Sequence, residues 1–125
     1  MKVHVCFVQN DVLNHETKTA ADGIGLLNED HLLYFEDDKK AKHAITFTSE
    51  GVILERIAEV SSRTILRYGE QGECSVNSPY GAMHFTSQLQ FSEKRDSCWK
   101  VHYSIFSEEE KVSEMELEWK FEKLA

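Results

Sequence analysis

The sequence is poor in cysteine, and its three cysteines are not spaced as pairs. Cys6, Cys74 and Cys98 are odd in number and far apart, and no Cys-x-x-Cys motif occurs. A disulfide framework uses an even set of cysteines, and zinc sites use closely spaced cysteine or histidine pairs. The pattern predicts free thiols in a reducing compartment, so we expect a cytoplasmic protein with no metal or other cofactor.

Long apolar runs and clusters of positive charge are also missing. No run approaches the roughly 20 residues of a membrane-spanning helix, and the apolar start of the chain is too short for a secretion signal. The chain carries 14 basic and 22 acidic side chains, a net charge of -8. Because phosphate-binding surfaces concentrate lysine and arginine, we expect neither nucleic acid nor a membrane as a partner.

Signatures of catalysis are absent as well. The sequence has no glycine-rich loop that would hold a phosphate before a helix, and its six histidines lack the spacing of a zinc site. Cys98 and His102 share a face of one predicted strand, but an extended chain separates them by about 13 Å, too far for proton transfer. These absences predict a protein that is not an enzyme.

Alternation of apolar and polar residues is the strongest pattern that the sequence does contain. It runs through three successive segments in the last third of the chain and is typical of strands with one buried face. The predicted inward residues are Met83, Phe85, Leu89 and Phe91, then Trp99, Val101, Tyr103 and Ile105, then Met115, Leu117, Trp119 and Phe121. Short polar links between the segments predict tight hairpins.

The last hairpin has a predicted register. We expect residues 108–110 to form a three-residue turn, which keeps the inward faces of both strands together. The opposed pairs are then Trp99–Trp119 and Tyr103–Met115 inside, and Lys100–Glu118 and His102–Glu116 outside. Apolar pairs inside and opposite charges outside each contribute roughly 0.2 to 1 kcal/mol to such a pairing.

Earlier segments repeat the alternation. Residues 2–9 predict a first strand, and a second hairpin is predicted to turn near residues 28–30. The polar stretch 11–22 predicts a loop or a short irregular strand. Residues 51–60 fit a strand or a capped helix, and their β-branched side chains and neighbouring strands favour the strand.

About nine or ten strands in a chain of 125 residues predict one all-β domain over residues 1–125. The short links predict an antiparallel up-and-down meander. Because exposed strand edges are a liability, we expect the sheet to close into a barrel, and a two-sheet sandwich is the alternative.

Several short motifs resemble a known family. They are Gly23-x-Gly25, Tyr34-Phe35-Glu36-Asp37, Arg56, Tyr68 with Gly72, and Asn77-Ser78-Pro79-Tyr80-Gly81. In these motifs the chain resembles the YwiB-like proteins, which are small bacterial β-barrels. It departs from them at Ala58, where the family tends to have glycine, at Val76, where an aromatic residue is common, and at Ser78, which replaces threonine. The resemblance implies a calycin-like, lipocalin-like barrel, and it implies no established activity or ligand.

The barrel interior is the candidate binding site. Barrels of eight or more strands either hold one small ligand or are filled by side chains. The candidate ligand-binding residues are Trp99 and Tyr103, predicted to point inward, and Arg56, Arg67 and Tyr80, predicted near the wall or mouth. An inward arginine is costly unless paired, which would indicate an anionic ligand. The alternative is that aromatic residues fill the core while the arginines reach solvent.

Two functions follow as hypotheses. The first is a barrel that binds a small, partly apolar or anionic molecule without catalysing a reaction. The second is a protein–protein interaction module, in which the acidic surface or an exposed strand edge contacts a partner protein or a second copy of the chain.

Overall fold

Ten antiparallel strands make up the fold in a computed structural model that describes residues 1–124. They are β1 (Lys2–Asp11), β2 (Glu16–Asn28), β3 (His31–Phe35), β4 (Lys42–Phe47), β5 (Gly51–Ile57), β6 (Ser61–Arg67), β7 (Glu70–Ser78), β8 (Gly81–Lys94), β9 (Cys98–Ser107) and β10 (Glu110–Lys123). Each strand pairs with the next in sequence, and β1 pairs with β10. The predicted closed meander barrel is confirmed, and the sandwich alternative is wrong. Among the described residues, no helix is long and apolar enough to cross a membrane.

β9 and β10 pair in the predicted register, but the turn between them is shorter than predicted. Trp99 lies opposite Trp119, and Tyr103 lies opposite Met115. β9 ends at Ser107 and β10 begins at Glu110, so the turn contains two residues instead of three. A bulge between Lys111 and Ser113 supplies the missing residue and restores the register.

The outer faces of the same two strands carry the expected charges. Lys100 Nζ lies 3.5 Å from Glu118 Oε2, as the register predicts. His102 is opposite Glu116 along the backbone, but its Nε2 atom contacts Glu114 Oε2 at 2.7 Å, two residues along the strand. The side-chain contact of His102 is therefore diagonal across the two strands.

A second bulge makes the inward prediction for Phe91 wrong. The pairing of β8 with β9 shifts between Leu89 and Phe91. Leu89 faces Tyr103 inside, whereas Phe91 pairs with His102 on the outer face and is half exposed. One extra residue inverts the side-chain alternation. Odd-numbered residues of β8 therefore point inward up to Leu89, and even-numbered residues point inward after the bulge.

The polar stretch after β1 is more regular than predicted. Only residues 12–15 form a turn, and the 13-residue strand β2 begins at Glu16. The Asp11 carboxylate accepts hydrogen bonds from the backbone N–H and the side-chain amide of Asn14, which holds this turn. Residues 51–57 form strand β5, so the strand interpretation of that segment is confirmed.

Aromatic side chains fill much of the barrel interior. Trp99 packs edge-on against Phe47 and Phe121, with ring centroids 5.0 and 5.3 Å apart. Trp119 is fully buried, stacks on Phe7 and donates its indole N–H to the Tyr34 hydroxyl at 2.7 Å. We define the mouth as the barrel end at the β3–β4 loop (residues 36–41) and the β5–β6 loop (residues 58–60).

Candidate functional site

A row of polar side chains crosses the inner wall of the barrel near the mouth. His43 on β4 lies opposite Arg56 on β5, which lies opposite Ser62 on β6. Neighbouring strands are about 4.8 Å apart, so this row extends roughly 10 Å around the wall. The next inward row on the same strands is Ile45, Leu54 and Thr64. The polar groups therefore form a rim above a mainly apolar floor.

A cavity of about 120 Å³ lies beside the polar row. Its opposite wall comes from β1, β9 and β10 and is largely apolar. The main lining residues are His43, Arg56, Ser62 and Thr64 on the polar side and Phe7, Tyr103, Leu117 and Trp119 on the other, with Gln9 near the rim. We refer to this cavity as the mouth pocket.

A larger depression of about 620 Å³ lies near the β6–β7 and β9–β10 turns. Glu70, Glu108 and Glu109 contribute to its lining. Acidic side chains at turns are ordinary solvated groups and do not by themselves indicate a ligand. The mouth pocket is the better candidate because it contains buried polar atoms beside aromatic walls.

Arg56 forms an ion pair with Glu36 at the mouth. Its Nε atom donates to Glu36 Oε2 at 3.0 Å, while its two terminal nitrogens make long contacts, 3.5 Å to Glu36 Oε1 and 3.4 Å to the Val60 carbonyl. Burial alone would raise the pKa of Glu36, but the hydrogen bond and the positive charge of Arg56 lower it, and the neighbouring His43 adds to this effect. Glu36 is therefore ionised and balances the arginine charge, and the terminal nitrogens remain able to donate.

His43 presents a buried nitrogen that lacks a hydrogen-bond partner. Its ring stacks on Tyr34, with centroids 4.9 Å apart. The Nε2 atom lies 3.3 Å from Glu36 Oε2, but the two are not aligned for a hydrogen bond, and no other described residue satisfies this nitrogen. Burial lowers the pKa of His43, so the neutral ring is favoured. An unsatisfied buried polar atom costs about 1 to 3 kcal/mol, which a ligand could recover.

Tyr103 brings a phenol to the other side of the mouth pocket. It lies on β9, opposite Leu89 and Met115. Burial raises the pKa of Tyr103, so the hydroxyl stays protonated and can donate a hydrogen bond. Close to it, Thr64 donates to the buried thiol of Cys74 at 3.3 Å. The thiol is thereby held in the wall.

The structure brings together two of the five predicted site residues. Arg56 and Tyr103 both line the mouth pocket. Trp99 lies in the packed core away from it, and Arg67 is on the outer face, paired with Glu73. Tyr80 is fully exposed in the turn between β7 and β8. The five residues therefore do not form one site.

Two residues of the site were missed by the sequence analysis although the sequence contained a signal for them. His43 has the same parity as the inward Ile45 and Phe47, and Glu36 follows Leu32 and Tyr34 at intervals of two. A polar residue that continues an inward apolar series is a candidate for a polar interior. The alternation alone thus indicated which way both side chains point.

Comparisons with known proteins identify a family and a solved structure with the same fold. Residues 7–118 match the family described as "Domain of unknown function (DUF1934)". A search of curated proteins found no significant match. Among solved structures, the crystal structure of the ywiB protein from Bacillus subtilis matches with a TM-score of 0.67 and 14% identity, over 99% of this chain and 91% of that one. At that identity the structural match shows the fold alone, but the family match covers most of the chain. The resemblance to YwiB-like proteins is confirmed, and the chain belongs to the DUF1934 family.

Proposed function

We propose that this protein binds one small, partly apolar molecule in the mouth pocket and does not catalyse a reaction. The observation that carries the proposal is the division of the pocket into two walls. His43, Arg56 and Ser62 form a polar edge, and Phe7, Leu117 and Trp119 face it across the cavity. A molecule with one polar edge and one apolar side would satisfy both walls at once.

The spacing within the pocket supports binding over catalysis. A serine nucleophile needs a base within hydrogen-bond reach. Ser62 and His43 are two strands apart, roughly 10 Å, and Arg56 lies between them. The arrangement therefore offers hydrogen bonds to a ligand and no activated nucleophile.

Charge supports a partly apolar ligand over a strongly anionic one. An unpaired inward arginine would call for an anion, but Glu36 already pairs with Arg56. The chain as a whole has a net charge of -8, which further disfavours anions. The ligand is therefore expected to carry little net charge.

Filling the mouth pocket should weaken ligand binding. We expect Ser62→Phe to weaken the binding of phenol, used as a single-ring probe, by at least about tenfold, because the new ring occupies the cavity. Binding would be measured by ¹H–¹⁵N NMR titration, with the Trp119 indole signal as a local reporter.

The matched control is Ser75→Phe. Ser75 lies on β7 opposite Arg63 and His84, with its side chain on the outer face of the barrel. This variant adds the same ring outside the pocket and should leave phenol binding unchanged. Equal weakening in both variants, or a wild-type protein that shows no saturable shifts with phenol, would contradict the proposal.

Association with a second copy of the chain is a second candidate function, favoured by a strip on the outer face. Ile24, Leu26 and Phe35 are 65%, 50% and 56% exposed on the neighbouring strands β2 and β3. Asp22 precedes Ile24 on β2, where it contacts His4, and Lys42 lies beside Phe35 on β4, so a second copy can set its Asp22 against this Lys42. Every strand of the described barrel is paired on both sides, so this strip replaces the predicted strand edge as the docking surface.

Disrupting the strip should shift the protein toward monomers. We expect wild-type protein to dimerise with increasing concentration and Phe35→Glu to stay monomeric, because a charge would be buried in the contact. Light scattering coupled to size exclusion measures both. Phe91→Glu, which changes a half-exposed outer phenylalanine on β8, is the control and should dimerise normally. A wild-type monomer at all concentrations would refute this candidate.

A further inference from the structure

The first residues of β8 form a strand edge that the barrel leaves open. On one side, residues 81–88 of β8 pair with β7. On the other side, the pairing with β9 begins only at Thr86, opposite Phe106. In the described part of the chain, no backbone hydrogen bond joins residues 81–85 to β9 or to the turn after it. Although the barrel is closed, β8 therefore extends past its pairing with β9, and we call residues 81–85 the β8 edge.

Free backbone groups line the β8 edge. A two-residue turn joins β7 to β8, with Ser78 opposite Gly81. In a hairpin closed in this way, the pair next to the turn exchanges both of its backbone hydrogen bonds, and the direction of bonding then alternates along the strand. Gly81 thus bonds toward β7, whereas Ala82 and His84 present their N–H and C=O groups to the open side. These groups are available to one added strand.

The β8 edge is uncharged and exposed. No Asp, Glu, Lys or Arg occurs from Cys74 to Ser92, in a chain whose residues are 29% charged. Residues 81–84 are all exposed. Met83 was predicted to point inward, but it is 57% exposed, since no strand continues the wall beside it. Proteins usually protect an open edge with charged side chains, proline or a bulge, and the β8 edge has none of these.

A second open edge, on β2, is protected. The pairing of β2 with β3 begins at Gly25, so the earlier residues of β2 have no strand on that side within residues 1–124. Glu16 and Lys18 place charges along this part of β2. The Asp37 carboxylate accepts a hydrogen bond from the backbone N–H of Asp22 at 2.8 Å. The lack of protection is therefore a local property of the β8 edge.

The surroundings of the β8 edge are acidic. Glu108 and Glu109 form the turn after β9, and Glu110 begins β10. The two turn residues line the same surface depression as Thr86 and Gln88 of β8. None of the three glutamates forms an ion pair with another described residue. Carboxylates of one sign at the end of an open edge attract basic side chains.

We propose that the β8 edge binds an extended, basic segment of a partner protein, which adds to the sheet as an antiparallel strand. The backbone of the segment pairs with Ala82 and His84, and its lysine or arginine side chains reach residues 108–110. Strand addition takes its affinity from main-chain hydrogen bonds and its specificity from side chains. A second copy of this chain fits less well, because two molecules of net charge -8 repel each other. This surface is separate from the mouth pocket and from the outer strip on β2 and β3.

Three peptides test the chemistry of the partner. The first has the sequence Lys-Lys-Val-Thr-Val-Thr-Val, the second has glutamates in place of the lysines, and the third is the first with every valine and threonine nitrogen methylated. We expect the first to bind at least about tenfold more tightly than the others, since only it offers both backbone donors and positive charge. Fluorescence anisotropy of peptides labelled at the C terminus measures binding. Equal binding of either modified peptide, or no binding of the first, would overturn the inference.

A pair of variants at one position tests the role of the backbone. His84→Pro removes an N–H from the open side and leaves the bonds to β7 in place, whereas His84→Ala changes the side chain and retains the N–H. We expect the proline variant to weaken binding of the lysine peptide at least about tenfold and the alanine variant to leave it unchanged. Equal weakening in both would mean that the side chain is the contact, which contradicts strand addition.

A charge reversal in the turn tests the acidic surroundings and does not alter the strands. Glu109→Lys should weaken binding of the lysine peptide about threefold to tenfold. Asp96→Lys, in the exposed loop at the other end of β9, changes the net charge equally and should have no effect. Equal effects of the two would show that only the overall charge matters, against the proposal. A dimer that light scattering finds in Phe35→Glu but not in His84→Pro would assign the β8 edge to a second copy and overturn the proposal as well.

Discussion

Trp119→Ala is expected to lower the free energy of unfolding by about 3 to 5 kcal/mol. Trp119 has no exposed surface, stacks on Phe7 and donates a hydrogen bond to Tyr34. Its removal leaves a cavity at the point where the packed core meets the mouth pocket, and it deprives a buried hydroxyl of its donor. Chemical denaturation followed by circular dichroism gives the free energy directly. A loss below about 1 kcal/mol would show that the surrounding side chains collapse into the space.

A double-mutant cycle isolates the hydrogen bond within that effect. Trp119→Phe retains an aromatic ring but removes the indole N–H, so we expect a larger cost in the wild type than in a Tyr34→Phe background. The difference between the two costs should be about 1 kcal/mol, since that is the usual coupling of a buried hydrogen bond. Equal costs in both backgrounds would mean that the 2.7 Å contact contributes nothing to stability.

Gly72→Ala is expected to destabilise the barrel by about 3 kcal/mol, since overpacking of this severity lies at the upper end of its usual cost. A Cβ atom at Gly72 would lie 1.9 Å from the Ile65 carbonyl oxygen and 2.6 Å from Ser87 Oγ. Ile65 is on β6 and Ser87 on β8, yet the Ser87 hydroxyl donates to the Ile65 carbonyl at 2.7 Å. The strands on either side of β7 thus approach each other over Gly72, and a methyl group would force them apart.

Gly23→Ala is the control for this substitution. A Cβ atom at Gly23 meets nothing within 4 Å, and its backbone is not in the left-handed region. Alanine there should leave the protein unchanged or stabilise it by about 0.4 to 1 kcal/mol, because it restricts the unfolded chain. Thermal and chemical denaturation of both variants give the comparison. If the two alanines have equal effects, the close approach over Gly72 is not a constraint.

The architecture could be predicted from the sequence because burial imposes a period of two on every strand. The alternation also predicted the register of β9 and β10, even though the turn between them is one residue shorter than expected. It failed at Phe91, where a bulge inverts the parity of β8. A bulge changes which face a residue occupies without changing composition or turn residues. The direction of Phe91 therefore depends on pairing with β9 and not on its own segment.

The site was predictable only in part, for a related reason. The inward direction of Tyr103 followed from the alternation, but its position facing the row that contains Arg56 depends on how the closed barrel places β9 across from β5. The position of a residue along the barrel axis could not be predicted from the alternation either. Trp99 points inward like Tyr103, but it lies in the packed core and not in the mouth pocket. The alternation along a strand shows which face of the sheet a residue occupies. The way the sheet closes into a barrel determines which residues of distant strands face each other.

The pairing of β1 with β10 joins the first and last strands of the barrel, with Val3 opposite Lys123. Without β10, the other nine strands in this order would form a sheet with two open edges, on β1 and on β9. Unpaired edges of this kind are templates for pairing with other chains. The contact that closes the barrel is thus also the one that protects it from edge-to-edge aggregation.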